Sequence, residues 1–247
     1  RVAIISMLTL LIISVPATSI RLGTADAGTN AKGTTTRSAY DLIAKGFGAG
    51  FSGPLTVVAS IPTGADLSPL SSLSDSMKAD SDVAEVMPAI VSADQKVVTL
   101  IVYPNSSPQS AETSDLIDRL RAKTIPTAIG DSSIKVYVGG STATSKDFAS
   151  ALSSKLPVFM GAVILLSFML LMFVFRSLFI PLKAAAMNML SIGAAFGVIV
   201  AIFQWGWGSS ITSIEPGPIE PMVPMMLFAI LFGLSMDYEV FLVSRIQ

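Results

Sequence analysis

The sequence of 247 residues contains no cysteine and no histidine. Those absences exclude disulfides, Cys/His zinc sites, thiol nucleophiles and every imidazole-based catalytic triad. They do not assign a compartment. Charge is scarce as well, at 13%, where an ordinary soluble domain carries about a quarter. Neither sign dominates: 16 Lys+Arg face 17 Asp+Glu, for a net charge of −1. There is no basic footprint, so no nucleic-acid partner is expected. With 51% hydrophobic residues, the composition argues against a purely soluble enzyme and against a disordered chain.

The few charges are unevenly spread. Between Arg21 and Lys155 lie twelve Lys/Arg and thirteen Asp/Glu, leaving four of each sign elsewhere. Four apolar runs are nearly free of charge, at 2–20, 156–175, 184–214 and 221–236. A bilayer core needs about 20 helical residues. The first three runs meet that length, and the fourth does so if it continues past Asp237 to about Val243. The pattern predicts a membrane α-helical bundle of four transmembrane helices carrying one large polar insert. The expected division is 1–22 for the first span, 23–154 for the insert and 155–247 for three further spans. An alternative for the first run is a signal peptide, because Arg1, an apolar stretch and Val15-Pro16-Ala17 have that layout.

Basic residues orient the spans. Arg1, the Arg176/Lys183 pair and Arg245 fall on one side by an odd–even count, which the positive-inside rule makes cytoplasmic. The 205–221 connection holds Glu215, Glu220 and no basic residue, as expected outside, with Trp205 and Trp207 in the interfacial belt. The insert is therefore expected outside the cytoplasm of a multi-pass plasma-membrane protein.

Within the insert, residues 55–61 read as a strand by β-branched content. Asp66 is placed to cap a helix bearing Leu67, Leu70, Leu73 and Met77. Residues 83–92 and 96–103 read as a hairpin turning at Ala93-Asp94-Gln95. Ser107-Pro108 opens a second helix with Leu116, Ile117 and Leu120 on one face. Ile134, Val136 and Val138 alternate as a half-buried strand. The order is β-α-β-β-α-β, that of a ferredoxin-like α+β unit, preceded by a short helix at 36–47 and followed by a helix from about Ser141. Asp131, Asp147 and Glu112 read as solvated carboxylates. Gly46-Phe47-Gly48-Ala49-Gly50 lacks the strand before it and the Lys-Ser/Thr after it that a phosphate loop requires. Gly139-Gly140 reads as a tight strand-to-helix turn.

Asp237 stands out. It lies inside the fourth apolar run, roughly 10–12 Å from the cytoplasmic helix end at 1.5 Å per residue. Placing a carboxylate there costs on the order of 2.5–3.5 kcal/mol on insertion scales, and such residues mark proton relays and ion paths. Tyr238 stands about 100° further round the helix. Glu239 lies nearer the interface and is divided evenly between headgroup contact and function. Asn188 and Ser191, at i and i+3 in the third span, read as polar contacts toward the bundle. Gly193 and Gly197 permit close helix approach.

The run Gly233-Leu-Ser-Met-Asp-Tyr-Glu-Val-Phe-Leu-Val-Ser-Arg245 resembles the signature of the mycobacterial membrane protein large (MmpL) transporters of the resistance–nodulation–division (RND) superfamily. Further resemblance lies in Tyr40-Asp-Leu-Ile-Ala-Lys-Gly-Phe-Gly-Ala-Gly-Phe-Ser-Gly-Pro54, in Gly139-Gly-Ser-Thr-Ala143, in 175–184 and in Phe203-Gln-Trp-Gly206. Lys45, where acidic residues are common, and Pro218 depart from the pattern. The resemblance implies a C-terminal half fragment holding an extracytoplasmic porter subdomain, with a missing N-terminal half as its partner and the first run as a membrane helix. It implies proton-motive-force-driven export of lipids or other amphipathic molecules, with Asp237 and Tyr238 as the proton relay, Glu239, Asn188 and Ser191 as accessory positions, and membrane lipids as surroundings. It implies no enzyme, no metal and no cofactor. The alternative is an RND-like translocation or sensing factor of the SecD/SecF or Patched type. A membrane hydrolase ranks far lower, since paired carboxylates, His and Cys are all missing from the bilayer segments.

Overall fold

The structure is a computed structural model and describes residues 1–209 and 215–246; side chains at 237 and at 239–246 lie outside the described residues. The chain forms two compact units, one of residues 26–147 and one of residues 1–25 with 148–247.

The 26–147 unit is built on an antiparallel sheet. Its strands are β1 (Leu55–Ser60), β2 (Val83–Val86), β3 (Ile90–Val91), β4 (Val97–Pro104) and β5 (Lys135–Gly139). The spatial order is β2-β4-β1-β5, with β3 also pairing β4. Val57 faces Leu100 on one side and Val138 on the other. Alternation places Leu55, Val57 and Ala59 with Val98, Leu100 and Val102 on a single buried face. Helices α3 (Ser68–Lys78) and α4 (Ala111–Arg119) cover that face with Leu73, Met77, Leu116 and Ile117, all fully buried. Each such side chain contributes about 1.5–3 kcal/mol of transfer free energy.

Two boundaries differ from the sequence expectation. The expected 83–92 strand is two short strands, separated at Met87-Pro88-Ala89. Pro88 has no N–H to give a ladder. The second helix starts at Ala111 rather than at Ser107-Pro108. Ser110 caps it by accepting a hydrogen bond from the Thr113 N–H at 3.2 Å, and the Thr113 hydroxyl donates to the Ser107 carbonyl at 2.8 Å. After α4 a π turn (Leu120–Thr124) leads into the short α5 (Ile125–Ile129). Asp66 supports the start of α3 as expected, accepting from the Ser68 N–H at 2.9 Å.

Helix α2 (Thr35–Phe47) precedes the sheet. The turn after it lies so close to the end of β4 that a Cβ on Gly50 would fall 1.9 Å from the Pro104 carbonyl oxygen. That approach explains this glycine without any phosphate. Phe47, Phe51 and Tyr103 stack in series, with centroids 4.7 and 4.8 Å apart.

The other unit is helical. It comprises α1 (Val2–Ser14), α6 (Ser141–Phe175) from Phe148 on, α7 (Phe179–Ile199) and α8 (Met222–Ile246). Among the described residues three apolar helical stretches are long enough to cross a membrane: Val2–Ser19, Ser141–Phe175 and Phe179–Gln204. The fourth expected span has a described apolar helical stretch of 15 residues, Met222–Met236, below that length. Phe173 and Phe179 are each 84% exposed and Leu166 is 63% exposed. Apolar surface on that scale needs a non-aqueous surrounding. Between α6 and α7, Arg176 takes a left-handed conformation (φ 49°) and its N–H bonds to the Met172 carbonyl at 2.9 Å, closing α6.

Candidate functional site

The site is assembled on α8, whose covered side is set by aromatic packing. Phe228 is fully buried and Phe232 is 4% exposed. Phe228 meets Phe159 of α6 edge-on, with centroids 5.9 Å apart, and stacks on Phe232 at 5.3 Å. Ile192 of α7 completes this cluster. One turn further along α8, the Ser235 hydroxyl donates a short hydrogen bond to the Asn188 side-chain oxygen on α7. Asn188 is only 4% exposed. A buried amide without such contacts would cost several kcal/mol in an apolar medium.

Tyr238, three residues beyond Ser235 on α8, is 71% exposed. The expected relay residue Asp237 and the accessory Glu239 have side chains outside the described residues. Asn188 is brought to α8, whereas Ser191 is exposed on α7. Ser235, which lies inside the 233–245 motif but is given no role of its own by the sequence, bonds to Asn188.

A second set of contacts fixes α7 against α1. A Cβ on Gly197 would lie 1.9 Å from the Ile13 carbonyl oxygen, and one on Gly193 would lie 3.4 Å from the Ser14 Cβ. The two glycines thus let the helices approach closely. Beyond α7 a π turn (Val200–Gln204) presents Gln204. Its side-chain oxygen accepts from the Arg21 N–H at 2.7 Å and its side-chain nitrogen donates to the Ser19 carbonyl at 2.7 Å. One amide so satisfies two backbone groups past the end of α1. Ile219 then runs parallel to Leu22.

The 26–147 unit holds structural ion pairs. Arg119 donates to Asp80 at 2.7 and 2.8 Å and to Asp82 at 2.6 Å. The guanidinium holds the Asp80 carboxyl below its usual range. Arg121 grips Asp147 at 2.5 and 2.8 Å and the Val138 carbonyl at 2.7 Å, lowering the Asp147 carboxyl likewise. Burial, reinforced by the charge of Asp26 and a 3.2 Å hydrogen bond to it, pushes the Tyr40 hydroxyl up to about 12. Among the described residues no group of three or more acidic side chains could hold a metal.

Apolar helices of this length and exposure define a multi-pass membrane protein. The chain belongs to the MMPL family, whose sequence profile matches residues 30–247. It is 38% identical to the membrane protein YdfJ of Bacillus subtilis over 99% of its own length and 34% of that protein. It is 30% identical to the mycolic acid-containing lipids exporter MmpL11 of Mycolicibacterium smegmatis, over 99% of this chain and 26% of that one. It is 36% identical to the trehalose monomycolate exporter MmpL3 of the same organism, over 58% of this chain and 14% of that one. The chain thus spans about a third or less of the relatives it matches.

Proposed function

We propose that the chain is a fragment of the C-terminal half of a proton-driven RND-type transporter that exports lipids or other amphipathic molecules across the plasma membrane. The observation that carries this reading is family membership over 218 residues, 30–247, combined with an Asp237-Tyr238 pair on the last apolar helix. Two exporters among the relatives act on lipids, which supports a lipidic or amphipathic substrate. The β-α-β-β-α-β unit then serves as a ferredoxin-like porter subdomain outside the cytoplasm.

In this reading Asp237 alternates between charged and neutral forms. The charged form holds hydrogen bonds from groups on facing helices of the missing N-terminal half, including a tyrosine like Tyr238. Protonation neutralises the carboxylate, releases those bonds and shifts the helix packing. Glu239 sits nearer the headgroups as an accessory. Asp237→Asn in the full-length protein tests the reading. Lipid export driven by a proton gradient is expected to stop while the protein still inserts; export at the wild-type rate would refute the relay.

A further inference from the structure

The chain passes between the two units at 25–26 and again at 147–148. The second passage lies inside the continuous helix α6. The first is a short irregular stretch between α1 and α2, and it is gripped on both sides of the passage.

The first grip acts on residues 19–23. The Gln204 amide holds the Ser19 carbonyl and the Arg21 N–H. Ile219, only 4% exposed, donates its N–H to the Arg21 carbonyl at 2.9 Å and accepts from the Gly23 N–H at 3.0 Å. A Cβ on Gly23 would fall 3.0 Å from the Pro218 Cβ, so this stretch lies tightly on the connection between α7 and α8. The second grip begins at Asp26. Its carboxylate accepts from the Gly28 N–H at 2.7 Å and from the Tyr40 hydroxyl at 3.2 Å. Arg37 donates to the carbonyls of Gly28 at 2.5 Å and of Asn30 at 3.2 Å. Arg37 and Tyr40 both belong to α2, so this helix holds the 3₁₀ turn at Ala27–Thr29.

Only Thr24 and Ala25 lie between the grips. Both are exposed, whereas residues 20–23 and 26–29 are half-buried. The Cα path from Gly23 to Asp26 can reach at most about 11 Å. A tether with so little slack passes on a displacement of either end, where a long flexible linker would absorb it.

We propose that residues 19–30 form a coupling strap. A shift of the α7–α8 connection pulls on Asp26 and, through Tyr40 and Arg37, moves α2 of the 26–147 unit during transport. Gln204 is the positioning residue of the strap. The inference rests on the export reading, but not on the identity of the proton carrier. It gives a task to Phe203-Gln-Trp-Gly206 and to the segment opening at Tyr40, two motifs that the relay does not use. A static staple would need the two grips and would be indifferent to the length of chain between them.

The test therefore adds slack and leaves both grips alone. Gly-Ser-Gly-Ser inserted between Thr24 and Ala25 of the full-length protein adds about 13 Å of reach, and longer loops cost little stability. Export of NBD-labelled lysophosphatidylethanolamine from liposomes is expected to fall about tenfold, within the usual range for coupling between distant sites. The melting curve and the amide-exchange protection at Arg21 and Gly23 should match the wild type. The same insertion after Gly64, an exposed turn with open space around it, should export as the wild type does. Gln204→Ala should lose the Arg21 protection and export together. Wild-type export by the slack protein would overturn the inference, and so would an equal loss from the Gly64 insertion. A wild-type protein that does not move the probe would fault the export reading on which the strap rests, while Asp237→Asn reports on the relay alone.

Discussion

Tyr40 illustrates how a single residue reports on the unit around it. Its hydroxyl is held protonated by burial and by Asp26, with a pKa of about 12. The folded state therefore keeps this proton where an unfolded chain, titrating near 10, releases it. Stability from this group is complete below about pH 10 and is lost as pH rises toward 12. Tyr40→Phe should remove that slope from a plot of melting temperature against pH, and an unchanged slope would contradict the assignment. Gly197 is a second such position. The 1.9 Å separation from the Ile13 oxygen leaves no room for a methyl group. Gly197→Ala should destabilise the helical unit by about 1–3 kcal/mol, the usual cost of overpacking, as read from thermal unfolding in nanodiscs. Neither role is legible in the sequence alone. Tyr40 belongs to a family motif, and Gly197 reads only as a small residue at helical spacing.

At the scale of elements, two ties set the architecture. Arg119 fastens α4 to the segment before β2 through Asp80 and Asp82. Arg119 is about a third exposed, so solvent screens part of the interaction. Arg119→Ala should cost about 1–2 kcal/mol after that discount. Asp80 is depressed in the folded state. Its contribution is present above the unfolded carboxylate pKa, near 4, and is lost as pH falls through the lower folded value. A melting-temperature profile below pH 4 should therefore be flatter in the variant than in the wild type. The second tie is Ser235 to Asn188, joining α8 to α7. Ser235→Ala should lower stability by about 0.6 kcal/mol, the mean for hydrogen bonds between membrane helices, and by no more than about 1.7 kcal/mol. Strand and helix positions are legible because alternation and three-four spacing survive in the sequence. The β2–β3 break is not, because β-branched residues flank Pro88 and mask its missing N–H. Ser235 is not, because its partner lies 47 residues away and a hydroxyl on an apolar helix resembles any small residue.

For the molecule as a whole, the distribution of charge along the chain already separates two materials, one polar and one apolar. The charged stretch ends at Lys155 in sequence, whereas the 26–147 unit ends inside α6. The two limits differ because charge follows the surrounding medium, while α6 is one helix from Ser141 to Phe175. The relatives are much longer polypeptides, since the chain covers only 34% of YdfJ. The proposed passage of protons through Asp237 during transport is tested by reconstituting the full-length protein in liposomes loaded with a pH-sensitive dye and imposing an inward acid pulse with lipid substrate present. Substrate-dependent acidification of the lumen is expected for the wild type and is expected to be absent for Asp237→Asn. Equal acidification in both would contradict a proton-carrying role for Asp237.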